Sequence, residues 1–592
     1  MGYFNNNKFL FKLALIAFFL VSNYLVYAQE QKGYFNNQTP AYNEIIQTYQ
    51  ELDKKNENAT LIEIGETDIG KPLHLFIISN DGDFDPISIH KKDRRIIFIN
   101  NGIHPGESCG IDASIQFVSD LLSGKLKSNE ILKNTVFCIV PVYNIGGCLN
   151  RNSTSRQNQN GPELHGYRGN AKNLDLNRDF IKCDSKNAKS LVGAFHQWNP
   201  DVYIDTHSSN GADYQYIITL VTNQPDKMNP SLASFMNKNM LPFIYGFMNK
   251  ANYEMTPYVE SMNWNNPPDS GIVAFFDNSR YAIGFAGLFN TFAFFTETHM
   301  LKPYKERVLS TYQFILGMSE FVAKEDAQIK KVRKKANDDT EKQSVFALKW
   351  SLDLSKKSKL NFKGYAAKTK KSEVTGLPRL YYDRNEPFEK HVDYYPHFKI
   401  DKEINKPAYY IIPQAYTDVI ERLSLNNILY TKLEKDTSIE VECYYIQGFK
   451  TREAYENHYM HYNVELKPEN QKVRFYKGDF VVKTNQSGNK YIIEVLEPES
   501  DDSFFAWNFF DGCLQKKEWF SPYIFEETAK KIIESQPEIK KALAEAIRQN
   551  PEMAKNDYAQ LAFIYEKGIK YNEMYNRYPV FRLNKKILLP TK

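Results

Sequence analysis

Cysteine is scarce in this chain, with six among 592 residues and no C-x-x-C pair, which argues against a dense disulfide framework and against a cysteine-held structural zinc site. Charge of one sign is missing as well. The 75 Lys and Arg residues are mixed along the chain with 71 Asp and Glu residues to a net charge of +4, leaving no concentrated basic face, so no nucleic-acid partner is expected. Beyond the N-terminus no stretch is apolar enough to span a bilayer, and no repeat of fixed period is found. What is present is ordinary for a globular protein, 42% hydrophobic and 25% charged, in a chain too long for one core. Two folded domains are expected.

The N-terminus has the form of a secretory signal peptide over 1–28. Lys8 and Lys12 precede an apolar run from Leu13 to Leu20 that continues to Val26 and ends on Val26-Tyr27-Ala28. Export to the periplasm or the extracellular space follows, with no stable membrane span once the signal is removed. Export also permits disulfides, but the spacing of Cys109, Cys138, Cys148, Cys183, Cys443 and Cys513 assigns no pairing.

From Thr60 to about Val322, short apolar strands alternate with amphipathic helices, the rhythm of an α/β fold. Strands are predicted at Leu73–Ser79, Arg95–Asn100, Thr135–Val142, Val202–Thr206, Tyr214–Val221 and Thr291–Thr296. Helices are predicted around Ile111 to Leu122, at Leu232 to Phe247, and from Pro303 onward. A charged segment, 326–344, reads as a linker between a catalytic domain over 29–325 and a second domain over 345–592. That second domain reads as β-rich, with strand-like segments such as Ala408–Ile412, Ile439–Ile446, Phe480–Lys483 and Tyr491–Val495, and with helices near its end. Its Trp507, Phe509 and Phe510 read as core rather than as a binding face, and His458 and His461 as an ordinary polar segment.

The sharpest local feature is Asn100-Asn101-Gly102-Ile103-His104-Pro105-Gly106-Glu107, a strand end followed by a rigid turn that can aim His104 and Glu107 at one point. Imidazole nitrogen and carboxylate oxygen are both good Zn²⁺ ligands, and a catalytic site needs three protein ligands with one position left open. A bare H-x-x-E is cheap, and His90-Lys91-Lys92-Asp93 is a near-decoy. A third candidate is His207 in Asp205-Thr206-His207-Ser208, at the end of a strand, where open α/β sheets place their sites. Between them lie Arg156-Gln157-Asn158-Gln159-Asn160-Gly161 and Asp175-Leu176-Asn177-Arg178. A guanidinium there matches the two oxygens of a carboxylate. Glu297 follows the very apolar Ala293-Phe294-Phe295-Thr296, so a raised pKa is expected for it.

Taken in order, H-P-G-E, R-x-N-x-x-G, D-x-N-R, D-x-H-S and a final T-E resemble the zinc carboxypeptidases of the carboxypeptidase A type over about Asn43 to Val322. The segment Thr296-Glu297-Thr298-His299-Met300-Leu301-Lys302-Pro303-Tyr304 looks like an exported bacterial branch. The resemblance implies a mixed twisted sheet flanked by helices, one Zn²⁺ held by His104, Glu107 and His207, and hydrolysis of peptide bonds by a zinc-bound water activated by Glu297. It further implies that Asn177 and Arg178 bind the substrate's terminal carboxylate, and that Asp175 fixes a ligand imidazole from behind. Arg156, with Arg151 as competitor, would polarise the scissile carbonyl, and Tyr281 is the candidate for the substrate-closing tyrosine.

The expected partner is therefore a peptide or protein substrate, and Arg280 would favour acidic C-terminal residues. Two alternatives remain open on the same fold: a zinc amidohydrolase that deacylates N-acyl amino acids, and a catalytically inactive binding protein. The resemblance implies cleavage at the substrate's C-terminus, and the motifs leave internal cleavage and action on cell-wall peptides open.

Overall fold

The computed structural model describes residues 33–263, 267–569 and 574–592, so the expected signal segment 1–28 lies outside the described residues. The first part of the chain lays down β1 (Ala59–Glu66), β2 (Pro72–Ile78), β3 (Arg95–Asn100), β4 (Thr135–Val140), β5 (Val202–Ser209), β6 (Ile218–Thr222), β7 (Met255–Pro257), β8 (Glu260–Ser261), β9 (Ile272–Val273) and β10 (Phe292–His299). Eight of these form one sheet in the order β1-β2-β4-β3-β5-β10-β6-β7. The central strands β4, β3, β5 and β10 run parallel, β1 and β2 pair antiparallel to their neighbours, and β6 pairs antiparallel to β10 and parallel to β7.

Burial explains why the central strands were legible. Every residue of β3, β4 and β5 is buried, the continuous pattern of strands covered on both faces. The helix Cys109–Leu122 packs Ile111, Phe117, Val118 and Leu121 into the main core. The helix Lys186–Trp198 is capped by Ser185, whose side chain accepts from Ala188 N–H, and it ends on Asn199 in the left-handed region. The segment read as one helix from Leu232 to Phe247 is three contiguous pieces: Pro230–Phe235, a π-helical stretch Met236–Met240, and Leu241–Lys250.

The charged stretch 326–344, expected as a linker, is instead mostly the far half of a helix over Tyr304–Lys342. Buried residues recur through it at Ile329, Arg333, Ala336 and Thr340, and Arg333 forms an ion pair of 2.8 Å with the buried Asp201. Most of the other charges of that segment lie toward solvent while this stripe, Arg333 included, binds it to the core.

By compactness the chain falls into two units, a division different from the expected boundary at 344–345. The first takes in residues up to Lys406 together with Asp418–Leu429 and Asn485–Asp502. It thereby includes β11 (Val345–Leu352), β12 (Ser358–Lys371), β13 (Pro378–Tyr395) and β14 (Phe398–Asn405). The β12–β13 hairpin is tied to the loop after β5, where Gln215 Nε2 donates to the carbonyls of Gly364 and Phe388, and β13 pairs with β9. Tyr491–Val495, expected as a strand, lies in a helix over Asn489–Leu496. Its Tyr491, Ile492, Ile493, Val495 and Leu496 are all buried, and an apolar run buried on every side carries no period that separates helix from strand.

The second unit is β-rich as expected. Its six-stranded sheet contains β15 (Tyr409–Ile412), β16 (Tyr430–Lys432), β17 (Thr437–Thr451), β18 (His461–Phe475), β19 (Phe480–Lys483) and β20 (Phe581–Leu583). Helices at Pro522–Ser535, Pro537–Gln549 and Asp557–Gly568 share a small core around Phe525, Ile532 and Leu561. Trp507 and Phe510 are fully buried. Among the described residues no helix is long and apolar enough to cross a membrane.

Candidate metal centre

His104 and Glu107 sit on the connection from β3 to the helix Cys109–Leu122, closed by a hydrogen bond from Glu107 N–H to the His104 carbonyl at 2.8 Å. The loop is pinned from below. Asn101, fully buried, donates to Val140 O at 3.1 Å and accepts from Thr206 Oγ1 at 3.0 Å. A Cβ on Gly106 would lie 2.5 Å from Arg156 Cδ and 2.8 Å from Gly166 O, so only glycine leaves Arg156 room to lie across this turn.

His207 stands near the end of β5, and Glu297 is its register partner on the adjacent parallel β10. The ligand atoms of His104, Glu107 and His207 all lie within 4.8 Å of one another, the one such group of three or more metal-binding side chains among the described residues. His458 and His461 belong to no such group: His461 Nε2 faces Asp511 at 2.9 Å and the His458 ring lies against Trp507.

Each imidazole presents Nδ1 inward and is backed by a carboxylate. His104 Nδ1 lies 3.3 Å from Glu107 Oε1, while its Nε2 donates to Asp175 Oδ1 at 3.0 Å. His207 Nδ1 lies 3.2 Å from Glu107 Oε2, and its Nε2 faces Asp205 Oδ2 at 3.4 Å, an ion-pair contact with no hydrogen bond formed. This is the arrangement a metal-binding histidine uses: the outer nitrogen is held so that the inner lone pair points at the ion.

The charge balance fits a cation. Burial works against the Glu107 carboxylate, but His104 and Arg156 more than offset it and hold the acid well below its usual range. Burial also disfavours a charged His207, yet Asp205, Glu107 and Glu297 pull its pKa well above the imidazole value. Burial pushes Glu297 up to about 7, with His207 opposing and Glu107 adding to the rise, and its Oε2 is buried without a hydrogen-bond partner. A buried acceptor left unsatisfied beside a His/Glu/His donor set is what a divalent ion with an attached water would complete.

The remaining candidates converge on the same cavity of about 270 Å³, which is lined by His104, Glu107, Arg156, Asn177, Arg178, His207, Tyr281 and Glu297. Asp175 caps the turn Leu176–Arg178, accepting from Asn177 N–H at 2.9 Å. Arg178 lies 4.5 Å over the Tyr281 ring, which fixes its guanidinium against the cavity wall. Arg156 donates to Glu107 Oε1 at 3.0 Å, to Ser208 O at 3.2 Å and to Gln159 Oε1 at 2.7 Å. Its competitor Arg151 is elsewhere, donating to the Thr39 and Pro40 carbonyls.

Arg280 does not line this cavity. It forms an ion pair of 2.9 Å with the buried Asp502 and donates to Asp501 O, so the expected preference for acidic ends loses its basis. The wall is built instead from Val221, Tyr258, Phe275 and Phe295. Three contributors escaped the sequence reading: Arg168, Asp205 and this aromatic wall. Asp205 had a usable signal, since two residues before His207 on a strand is the same face.

Residues 45–284 match the family model for zinc carboxypeptidases, a span that contains every candidate named above except Glu297 and Phe295. Over 100 residues, 17% of this chain, the sequence is 29% identical to carboxypeptidase 2 of Trichophyton tonsurans and to that of Trichophyton equinum. The match spans only 19% of the length of either relative. Among solved structures, a metallo-carboxypeptidase from Burkholderia cenocepacia aligns at 16% identity and a TM-score of 0.37, covering 49% of this chain and 70% of that one. Carboxypeptidase A from Helicoverpa armigera aligns at 14% identity and a TM-score of 0.36, covering 49% of this chain and 75% of that one. Over residues 45–284, then, this chain is similar to the zinc carboxypeptidases.

Proposed function

We propose that this protein is an exported zinc metallocarboxypeptidase that hydrolyses the peptide bond before a substrate's C-terminal residue. The observation that carries the reading is the convergence of a His104/Glu107/His207 donor set, the partnerless Glu297 Oε2 and the Arg178 guanidinium on one cavity. A zinc ion held by the three ligands supplies Lewis acidity, lowering the pKa of a water and polarising a carbonyl. The protein's own groups do the rest. Glu297 accepts the proton of the attacking water and delivers it to the leaving amine. Asn177 and Arg178 hold the terminal carboxylate, and Arg156 faces the oxyanion side. Asp175 and Asp205 keep the two imidazoles oriented.

The wall of Val221, Tyr258, Phe275 and Phe295 supports a preference for aromatic and large apolar last residues over acidic or basic ones. The test is a panel of N-blocked peptides that differ only in the last residue, run beside N-acyl amino acids. Release of aromatic C-terminal residues supports the reading. Exclusive deacylation of N-acyl amino acids would overturn it in favour of an amidohydrolase, and absence of bound zinc after metal reconstitution would favour a binding protein. Export rests on the N-terminal sequence and is checked by fractionating cells for the protein shortened to begin near Gln29.

A further inference from the structure

A second cavity lies in the first unit, apart from the one beside the metal ligands, and shares no lining residue with it. Its volume is about 380 Å³, a size usual for small-molecule sites. Part of its lining is apolar: Trp350 and Ile400, register partners on β11 and β14, with Phe346 and Leu288. Another part is the helix Asn489–Leu496, which contributes Lys490, Ile493 and Glu494.

Lys490 and Glu494 stand four residues apart on that helix, the spacing at which opposite charges ordinarily meet. They do not pair, and among the described residues neither joins any other ion pair, although both are largely buried. Lys490 Nζ donates to Asn290 Oδ1 at 3.1 Å, on an ammonium that has three donors to give. Burial lowers its pKa to about 8, with Lys227 adding to the fall and Asp277 opposing it. Glu494 is the converse case. Burial and then Asp502 push it up to about 7, and Lys227 and the Ser500 hydroxyl offset that only in part. Lys227 is already engaged, paired with Asp277 at 2.9 Å.

The cavity thus has one cation and one anion, each short of a counter-charge, a helical turn apart and beside an apolar surface. A largely buried charge without a partner is unfavourable, and a ligand of opposite charge relieves it. A simple ion would serve one of the two groups and leave the other. A zwitterion serves both, and an α-amino acid carries its carboxylate and its ammonium on one carbon, with the side chain directed away from them.

We propose that this cavity binds one free α-amino acid with a large apolar side chain, its carboxylate on Lys490, its ammonium on Glu494 and its side chain against Trp350 and Ile400. This is the class of product that the carboxypeptidase reading above releases, but binding here does not depend on that reading.

The test is calorimetry with L-phenylalanine on zinc-loaded protein. Arg178→Ala removes the proposed carboxylate holder from the catalytic cavity, and it should still take up one phenylalanine per chain. Adding Lys490→Met or Glu494→Gln to it should weaken that binding by about 10- to 100-fold. On Arg178→Ala alone, N-acetylphenylalanine, which lacks the ammonium, and phenylalanine amide, which lacks the carboxylate, should each bind more weakly by a similar factor. These analogues probe the cavity without altering it, so they decide the matter even where a cavity variant fails to fold.

Folded Arg178→Ala that takes up no phenylalanine would overturn the proposal, as would uptake undiminished by both Lys490→Met and Glu494→Gln. Equal affinity for phenylalanine and for either blocked analogue would also overturn it, because the cavity would then read one charge and not two. Peptide turnover by the wild type is measured on the same preparation. Its absence would overturn the carboxypeptidase reading and leave the amino-acid site to be decided by the calorimetry.

Discussion

Glu297 and His207 are register partners on neighbouring parallel strands, β10 and β5, so the proposed proton acceptor and a metal ligand are fixed to one another by the backbone pairing of two buried strands. A constellation set by strand register moves little, and precise placement of this kind is what a general base requires. Glu297→Gln should therefore keep the zinc while kcat falls by about 100- to 10,000-fold. Elemental analysis and turnover on the same sample check it, and retained turnover would exclude Glu297 as the base.

The same carboxylate sets the acid limb of the pH profile. Burial raises it to about 7 in the metal-free site, and a bound cation pulls it back down because positive charge favours the ionised form. A base must be ionised to act, so kcat/KM should fall as pH drops, with the midpoint below 7. A midpoint above 7 in the zinc-loaded enzyme would contradict this placement.

Asp175 and Asp205 stand behind the two imidazoles, at 3.0 and 3.4 Å from the outer nitrogens. Replacing either by Asn should weaken zinc binding by about 10- to 100-fold without removing a ligand. Competition against a chelator reads the loss, and unaltered zinc affinity in both variants would show that the imidazoles are oriented by other contacts.

The sequence announced the candidate ligands and base because each lies in a short motif at a strand end: His104 and Glu107 three residues apart after β3, His207 near the end of β5 and Glu297 near the end of β10. Arg168 could not be found that way. Its place depends on the path of the 151–175 loop, which folds back so that Asp175 meets both His104 and Arg168, and no spacing encodes that return. Arg280 was misread for a related reason. Its neighbour Tyr281 lines the cavity, but its partner Asp502 is more than two hundred residues away in sequence. The β12–β13 hairpin joins the first unit through Gln215 and Phe388, tertiary contacts that leave no local trace.

The Arg280–Asp502 pair gives a separable prediction. Arg280→Ala leaves Asp502, which is fully buried, without its guanidinium partner, and breaking a buried pair from one side costs about 3–5 kcal/mol. The denaturation midpoint should fall accordingly, while the ranking of peptides by their last residue should stay as in the wild type. A change in that ranking would return Arg280 to the specificity pocket.

Asp112 supplies a prediction about stability and pH away from the metal ligands. Its carboxyl is buried on the helix Cys109–Leu122, accepts hydrogen bonds from Thr39 Oγ1 at 2.6 Å and from the Tyr304 hydroxyl at 2.5 Å, and burial pushes its pKa up to about 7. In the unfolded chain the same group titrates near about 3.9. Between these values the folded state holds a proton that the unfolded state has lost. This contribution to stability is therefore fully present below about 4, and it declines as pH rises through 7. Asn in place of Asp keeps an oxygen to accept from Thr39 and Tyr304 but cannot ionise. Asp112→Asn should consequently gain stability relative to the wild type between pH 5 and pH 8, read as the difference in urea midpoints for zinc-free protein. A difference that is constant across that range would mean that Asp112 does not titrate there.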